Sequence, residues 1–88
     1  MAPQKSPEAR PGRSELYKNL SGVSGILRFK INRDSIEVEF HDGAVYLYDE
    51  AITGRVHVER MKELARAGKG LNSYISRAVR KNYARKLK

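Results

Sequence analysis

The strongest chemical signal in the sequence lies in residues 69–88, which contain seven Lys or Arg side chains and no Asp or Glu. Such side chains neutralise nucleic-acid phosphates and release their counterions, and an Arg guanidinium can bind two phosphate oxygens at once. The alternative is a solvated helix face whose cations lie near the helix C-terminus. Because no acid compensates these charges, we predict that the segment contacts RNA or DNA. The predicted nucleic-acid-binding residues are Lys69, Arg77, Arg80, Lys81, Arg85, Lys86 and Lys88.

Tyr46 and Tyr48 form a second candidate interaction face. They alternate with aliphatic residues that suit a core, so the pattern predicts that both rings point away from it. Exposed rings can stack single-stranded bases, but Glu37 and Glu39 beside them would repel phosphate. We therefore favour packing under the N-terminal segment or a protein interface for these tyrosines.

Side chains suited to catalysis or metal binding do not form a recognisable pattern. His41 and His57 lack a metal-ligand spacing, and the absence of cysteine excludes thiolate ligands and disulfides. Glu37 and Glu39 each have a predicted cation on the neighbouring strand, which makes them a poor general acid and base pair. The sequence predicts no enzyme, no catalytic residue, no metal site and no cofactor.

Charge and hydropathy also limit the class of protein. The net charge is +8, and residues 55–88 alone carry +9, from eleven Lys or Arg against two Glu, while the rest of the chain sums to −1. No apolar run approaches the roughly 18 residues of a membrane span, and the N-terminus lacks a secretory apolar segment. We therefore expect a cytoplasmic protein without a membrane partner.

The elements that must position these side chains begin with a change to period-two alternation at residue 26. Three alternating runs, 26–31, 36–40 and 45–48, predict an antiparallel meander. Asp42-Gly43 suggests a two-residue type I′ hairpin loop, which would place Phe40 opposite Val45 and Val38 opposite Leu47. All core-facing residues would then be aliphatic or Phe.

Two helices should cover this meander. Apolar spacing predicts a first helix over residues 55–67, including Val56 in the core and ending at Gly68. A second amphipathic helix should start after Asn72 and carry the cations on its outer face. The predicted fold is α+β, in the order β-β-β-α-α, and occupies residues 21–88. Residues 1–20, with three prolines, are predicted to form a flexible basic arm with a short helical turn over 14–20.

The hairpin sequence Ile36–Tyr48 resembles the "LEVEF-x-DG-x-VY-x-Y" stretch of the KTSC domain, and residues 69–75 are similar to that family's "KG…FN…I" segment. KTSC domains occur at the C-terminus of some lysyl-tRNA synthetases and as stand-alone bacterial and phage proteins. The resemblance implies a small non-enzymatic domain, and its link to a tRNA-handling enzyme favours a nucleic-acid ligand.

Two functional hypotheses follow. The first is a nucleic-acid-binding accessory module, and the second is a protein-interaction module that uses the tyrosine face or an edge strand to bind an acidic partner. Whether the protein is a monomer or a dimer is left open, because edge strands can pair between chains.

Overall fold

The computed structural model describes residues 13–20, 22 and 24–88 and confirms an α+β architecture in which two helices pack against an antiparallel sheet. The sheet has five strands in the order β1-β2-β3-β4-β5, not the predicted three. Its strands are β1 (Arg13–Leu16), β2 (Ile26–Ile31), β3 (Ser35–Phe40), β4 (Val45–Asp49) and β5 (Arg85–Lys86). Between β4 and β5 the chain forms α1 (Arg55–Ala67), α2 (Leu71–Tyr74) and a π-helical turn (Ile75–Val79).

The first additional strand, β1, lies where a helical turn was predicted over residues 14–20, and that prediction is wrong. β1 pairs with β2, and the Tyr17 N–H continues the pairing by donating to the Leu27 carbonyl oxygen at 2.9 Å. The Tyr17 ring is buried, and its hydroxyl accepts a hydrogen bond from the Leu71 N–H at 3.2 Å. These contacts outweigh local helix propensity and bring residues 13–20 into the domain. The predicted flexible arm over residues 1–12 lies outside the described residues.

The second additional strand, β5, replaces the end of the predicted basic helix. α2 continues into the π-helical turn, which the Arg80 N–H closes by donating to the Ile75 carbonyl oxygen at 2.6 Å. The chain then reverses, and the Ala84 N–H donates to the Leu47 carbonyl oxygen at 2.7 Å. Pairing with β4 satisfies backbone groups that would otherwise form an open sheet edge. The predicted helix over this C-terminal segment is therefore wrong beyond Val79.

The hairpin between β3 and β4 has a three-residue loop rather than the predicted two-residue one. The Gly43 N–H donates to the Phe40 carbonyl oxygen at 2.9 Å, while the Phe40 N–H donates to the Ala44 carbonyl oxygen at 2.9 Å. Gly43 has a φ of 94°, as expected for the glycine that ends such a loop. One extra loop residue shifts the register by one, and a one-residue shift exchanges the two faces of a strand.

The shifted register places Tyr46 opposite Val38 and Tyr48 opposite Ile36, on the face that the helices cover. Val45 and Leu47 consequently lie with Glu37 and Glu39 on the other face. The predicted pairs Phe40–Val45 and Val38–Leu47 are wrong. A bulge in β2 also places Ile26, rather than the expected Leu27, opposite Phe40.

Pairing between β2 and β3 agrees with the predicted register from residue 28 onward. Arg28 lies opposite Glu39 and Lys30 opposite Glu37, and both pairs form salt bridges, at 3.5 and 3.7 Å. These pairs lie on the face of the sheet away from the helices. They bound a shallow groove of about 230 Å³ together with Ser14 and Val45.

Helix α1 has the predicted bounds, and Gly68 terminates it with φ 79° and hydrogen bonds to the Leu64 and Ala65 carbonyl oxygens. Val56, predicted to be a core residue, is 79% exposed. Lys62 is buried instead, with its Nζ donating to the Arg33 carbonyl oxygen at 2.8 Å. The core lies between the sheet and the helices, and its most deeply buried members are Ile26, Ile36, Val38, Tyr48, Val58, Met61 and Leu71.

Candidate nucleic-acid interface

The seven predicted nucleic-acid-binding residues are all exposed, and we call them the C-terminal basic surface: Lys69, Arg77, Arg80, Lys81, Arg85, Lys86 and Lys88. Lys69 lies between α1 and α2, and Arg77 lies in the π-helical turn. Arg80 and Lys81 form the reversal that follows, and the other three lie in or next to β5. The expected arrangement along one helix face is therefore wrong, because the helix ends before most of these residues.

No member of the C-terminal basic surface has a carboxylate partner within the described part of the chain. The same holds for four exposed cations that are scattered over other elements: Lys18, Arg33, Arg55 and Arg66. Salt bridges among the described residues join Arg28, Lys30, Arg60 and Lys62 to Glu39, Glu37, Glu63 and Glu59, at 2.9–3.7 Å. None of them includes a member of the basic surface. Unpaired cations add to the local positive potential, which attracts a polyanion, whereas a paired cation contributes little to it.

The reversal after the π-helical turn presents two of these cations, Arg80 and Lys81, and its backbone is strained at Arg80. Arg80 has φ 45° and ψ −117°, and the Asn82 N–H donates to the Val79 carbonyl oxygen at 2.7 Å. A turn with positive φ at its second residue usually has glycine there, because a side chain makes this conformation costly. Strain of this kind persists where surrounding contacts enforce it and is concentrated at functional sites.

Contacts with the segment after β4 hold this reversal in place. The buried Thr53 donates its hydroxyl hydrogen to the backbone carbonyl oxygen of Asn82 at 2.7 Å. The side-chain amide of Asn82 donates to the Ile52 carbonyl oxygen at 3.1 Å. Neither Thr53 nor Asn82 carries a local sequence signal for this contact, because the two residues are separated by 29 positions.

Replacing Arg80 with glycine should therefore stabilise the protein, by about 1 kcal/mol, because glycine adopts positive φ without the side-chain clash. Lys81→Gly is the matched control, since it removes the same charge at the adjacent residue, whose φ is not positive. The control should lose up to about 1 kcal/mol through the greater entropy of the unfolded chain. Urea unfolding measures both values, and equal destabilisation by the two substitutions would contradict strain at Arg80.

Strand β5 directs its cations to opposite faces of the sheet. Arg85 lies opposite Leu47, on the face away from the helices, and Lys86 lies opposite Tyr46. The Lys86 Nζ is 5.9 Å from the centre of the Tyr46 ring, within the range of a cation–π interaction. Charged side chains also prevent unwanted pairing at a sheet edge, so β5 has a structural role beside its role in the basic surface.

The predicted exposed interaction face of Tyr46 and Tyr48 is not present. Tyr48 is only 1% exposed and belongs to the core, while Tyr46 is partly buried and stacks on Tyr83 at 4.6 Å between ring centres. Tyr83 also meets the edge of Tyr48 at 6.3 Å. The reason is the three-residue hairpin loop, which turns both tyrosines toward the helices.

Burial, together with the neighbouring hydroxyls of Tyr46 and Tyr83, raises the pKa of Tyr48 from 10.0 to about 12. The unfolded chain therefore loses the Tyr48 proton near pH 10, while the folded protein keeps it until about pH 12. Stability should be unaffected by this group below pH 10 and fall by about 1.4 kcal/mol per pH unit between pH 10 and 12. Tyr48→Phe should remove this part of the alkaline decline in urea unfolding series, and an unchanged decline would contradict it.

The histidines have structural surroundings. The His57 Nδ1 lies 2.7 Å from the Tyr74 hydroxyl, which joins α1 to α2, and His41 is exposed in the hairpin loop. Across residues 13–20, 22 and 24–88, no three His, Asp or Glu residues come together as a metal site would require. In the same residues, no helix combines the length and apolarity needed to cross a membrane.

Comparisons with protein-family models, with curated proteins and with solved structures return no match for this chain. The resemblance to the KTSC domain accordingly stays a prediction from the hairpin and the residues after Gly68.

Proposed function

We propose that this protein is a small, non-enzymatic, cytoplasmic accessory module that binds nucleic acid through phosphate contacts made by the C-terminal basic surface. The observation that carries the proposal is the contrast between two sets of cations. Arg28 and Lys30 on β2 and Arg60 and Lys62 on α1 have carboxylate partners. The seven of the basic surface are exposed, have none among the described residues, and lie within a 20-residue segment that contains no acid, whereas the other unpaired cations are scattered along the chain. Contact between these cations and a phosphate backbone would release the counterions that are condensed on the nucleic acid.

Salt dependence provides the direct test. We expect a labelled oligonucleotide to bind at low salt, with log affinity falling linearly as log salt concentration rises. Each phosphate contact contributes a slope of about 0.9 on duplex DNA, so use of three to seven cations gives a total of about 3 to 6. Fluorescence anisotropy from 25 to 300 mM salt, roughly the range over which this effect is large, measures it. Absence of binding at the lowest salt to tRNA, duplex DNA and single strands would refute the proposal.

Strand β1 supports a second candidate, a protein-interaction module. β1 pairs only with β2 among the described residues, and its Leu16 side chain is 64% exposed. An extended segment of an acidic partner could pair with this edge, since backbone hydrogen bonds provide affinity in such complexes. Removing charges from Arg77, Arg80, Lys81 and Arg85 should leave that complex intact while nucleic-acid binding is lost. A partner lost together with nucleic acid would argue against the β1 edge.

A further inference from the structure

We infer that the preferred ligand of the C-terminal basic surface is a double-stranded nucleic acid, bound through its phosphates without stacking of its bases on aromatic rings. This inference rests on the proposed function and narrows its ligand class. It follows from three features of the described residues: the positions of all the aromatic rings, the distribution of the cations, and the shortness of the element that carries Arg77.

Single-stranded nucleic acid is typically bound by aromatic side chains on which successive bases stack. The chain has five Tyr, two Phe and no Trp, and all seven rings lie within the described residues. Tyr17, Phe29 and Tyr48 are buried in the core. The other four rings are partly buried against it: Phe40, Tyr46, Tyr74 and Tyr83.

The partly buried rings are occupied by partners within the protein. Tyr46 stacks on Tyr83 with an angle of 18° between the rings, and it also contacts the edge of Phe40 at 5.9 Å. The Lys86 ammonium lies near the same Tyr46 ring. Tyr74 packs against His57 with ring centres 5.8 Å apart. A base could stack on these rings only by displacing contacts that support the core.

Without stacking, affinity depends on charge density and on the stiffness of the ligand. Duplex DNA carries one charge per about 1.7 Å of its axis and condenses more counterions than a single strand does. The basic surface distributes its cations over several parts of the chain, and Arg85 and Lys86 lie on opposite faces of the sheet, so a stiff duplex can contact only one of those two. A flexible single strand must lose conformational freedom to follow the cations, whereas a duplex is already ordered.

Recognition of particular bases is not expected. Proteins that recognise base edges usually insert a helix or a two-stranded ribbon into the major groove. Here α2 has four residues and is followed by a five-residue π-helical turn, and β5 has only two residues and is paired with β4. Phosphate contacts fix position on a duplex but carry no sequence information.

The test compares a duplex with each of its separated strands, in DNA and in RNA, at equal length and equal salt. Slopes of about 0.9 per contact for a duplex and 0.7 for a single strand differ by about 1 for about five contacts. Relative to equal affinities at 1 M salt, where the counterion contribution vanishes, this difference corresponds to about tenfold tighter duplex binding at 0.1 M. Two duplexes of unrelated sequence should bind equally within a factor of about three, since each specific base contact would be worth more.

Tyrosine fluorescence gives a second readout, because the chain has no tryptophan to mask it. Duplex saturation should leave this emission unchanged, whereas base stacking on Tyr74 or Tyr83 would quench it. Single strands that bind as tightly as the duplex, or that quench tyrosine emission, would overturn the inference while leaving the proposed function standing. Failure of both ligands to bind would overturn the proposed function and this inference together.

Discussion

Gly68→Ala is expected to lower the free energy of unfolding by about 3 kcal/mol, the largest effect on stability that we predict for a single methyl group. A Cβ atom at this position would lie 2.6 Å from the Lys18 Cβ, and the Gly68 φ of 79° already disfavours any side chain. The positive φ costs about 1 kcal/mol or slightly more, and the forced displacement adds roughly 1–3 kcal/mol. For a domain of this size the midpoint of thermal unfolding should fall by about 15 °C.

Gly22→Ala separates the two causes. Gly22 has the same φ of 79°, but no atom lies within 4 Å of the position that its Cβ would occupy. This substitution should therefore cost only the conformational part, about 1 kcal/mol. Thermal and urea unfolding of the two alanine variants gives the comparison directly, and equal losses would show that the approach of Lys18 to Gly68 has no energetic importance.

Lys18→Gly extends the comparison, because it removes the Cβ atom that the new methyl group would meet. In the Lys18→Gly background, Gly68→Ala should cost about 1 kcal/mol, as Gly22→Ala does. The result also bears on β1, because the Leu20 N–H donates to the Gly68 carbonyl oxygen at 2.7 Å. Residues 17–20 thereby connect the first strand to the end of α1.

The largest effect on binding should come from removing three unpaired cations. We expect Arg77→Gln, Arg80→Gln and Lys81→Gln together to lower the salt slope by about 3 and, if all three contact phosphates, to weaken duplex binding by several hundredfold at 0.1 M salt, since each lost phosphate contact reduces the slope by about 1. Glutamine keeps a long polar side chain and leaves the positive φ of Arg80 in place. Stability should therefore change little, as thermal unfolding can verify.

A triple variant with the same net charge provides the control. Arg28→Gln, Lys30→Gln and Arg60→Gln lower the charge from +8 by the same three units, but each removes a cation that has a carboxylate within 4 Å. If binding depends on the basic surface, this control should keep the wild-type salt slope within about 1 unit. Equal losses of affinity and slope in both triple variants would show that only total charge matters.

Local sequence was sufficient to predict a strand register or a helix where the pattern of one segment was compatible with only one structure. The charges of Arg28, Lys30, Glu37 and Glu39 alternate with apolar residues, so both cations meet a carboxylate across β2 and β3 only in the observed register. Helix α1 was likewise predictable, because its apolar spacing ends at a glycine suited to positive φ. In both cases the information lies within a few residues of the element itself.

The same reasoning failed where two arrangements suited the pattern equally. Val45, Tyr46, Leu47 and Tyr48 are all apolar or aromatic, so either pair could face the core. A loop with two residues and a loop with three both accommodate Asp42-Gly43. Packing of Tyr46 and Tyr48 against Tyr83 favours the three-residue loop, and Tyr83 lies far along the chain.

The sequence by itself determined the composition of the candidate site: seven cations without an acid among them, in a chain with a net charge of +8. It also determined the α+β class and the position of α1, since both depend on short-range periodicity. Only the tertiary structure decided that residues 13–16 and 85–86 are strands, that the tyrosines face inward, and that the cations surround a strained reversal and a sheet edge. Those outcomes depend on hydrogen bonds and packing contacts between residues that are distant in sequence. Such contacts override local propensity and cannot be predicted from a local pattern.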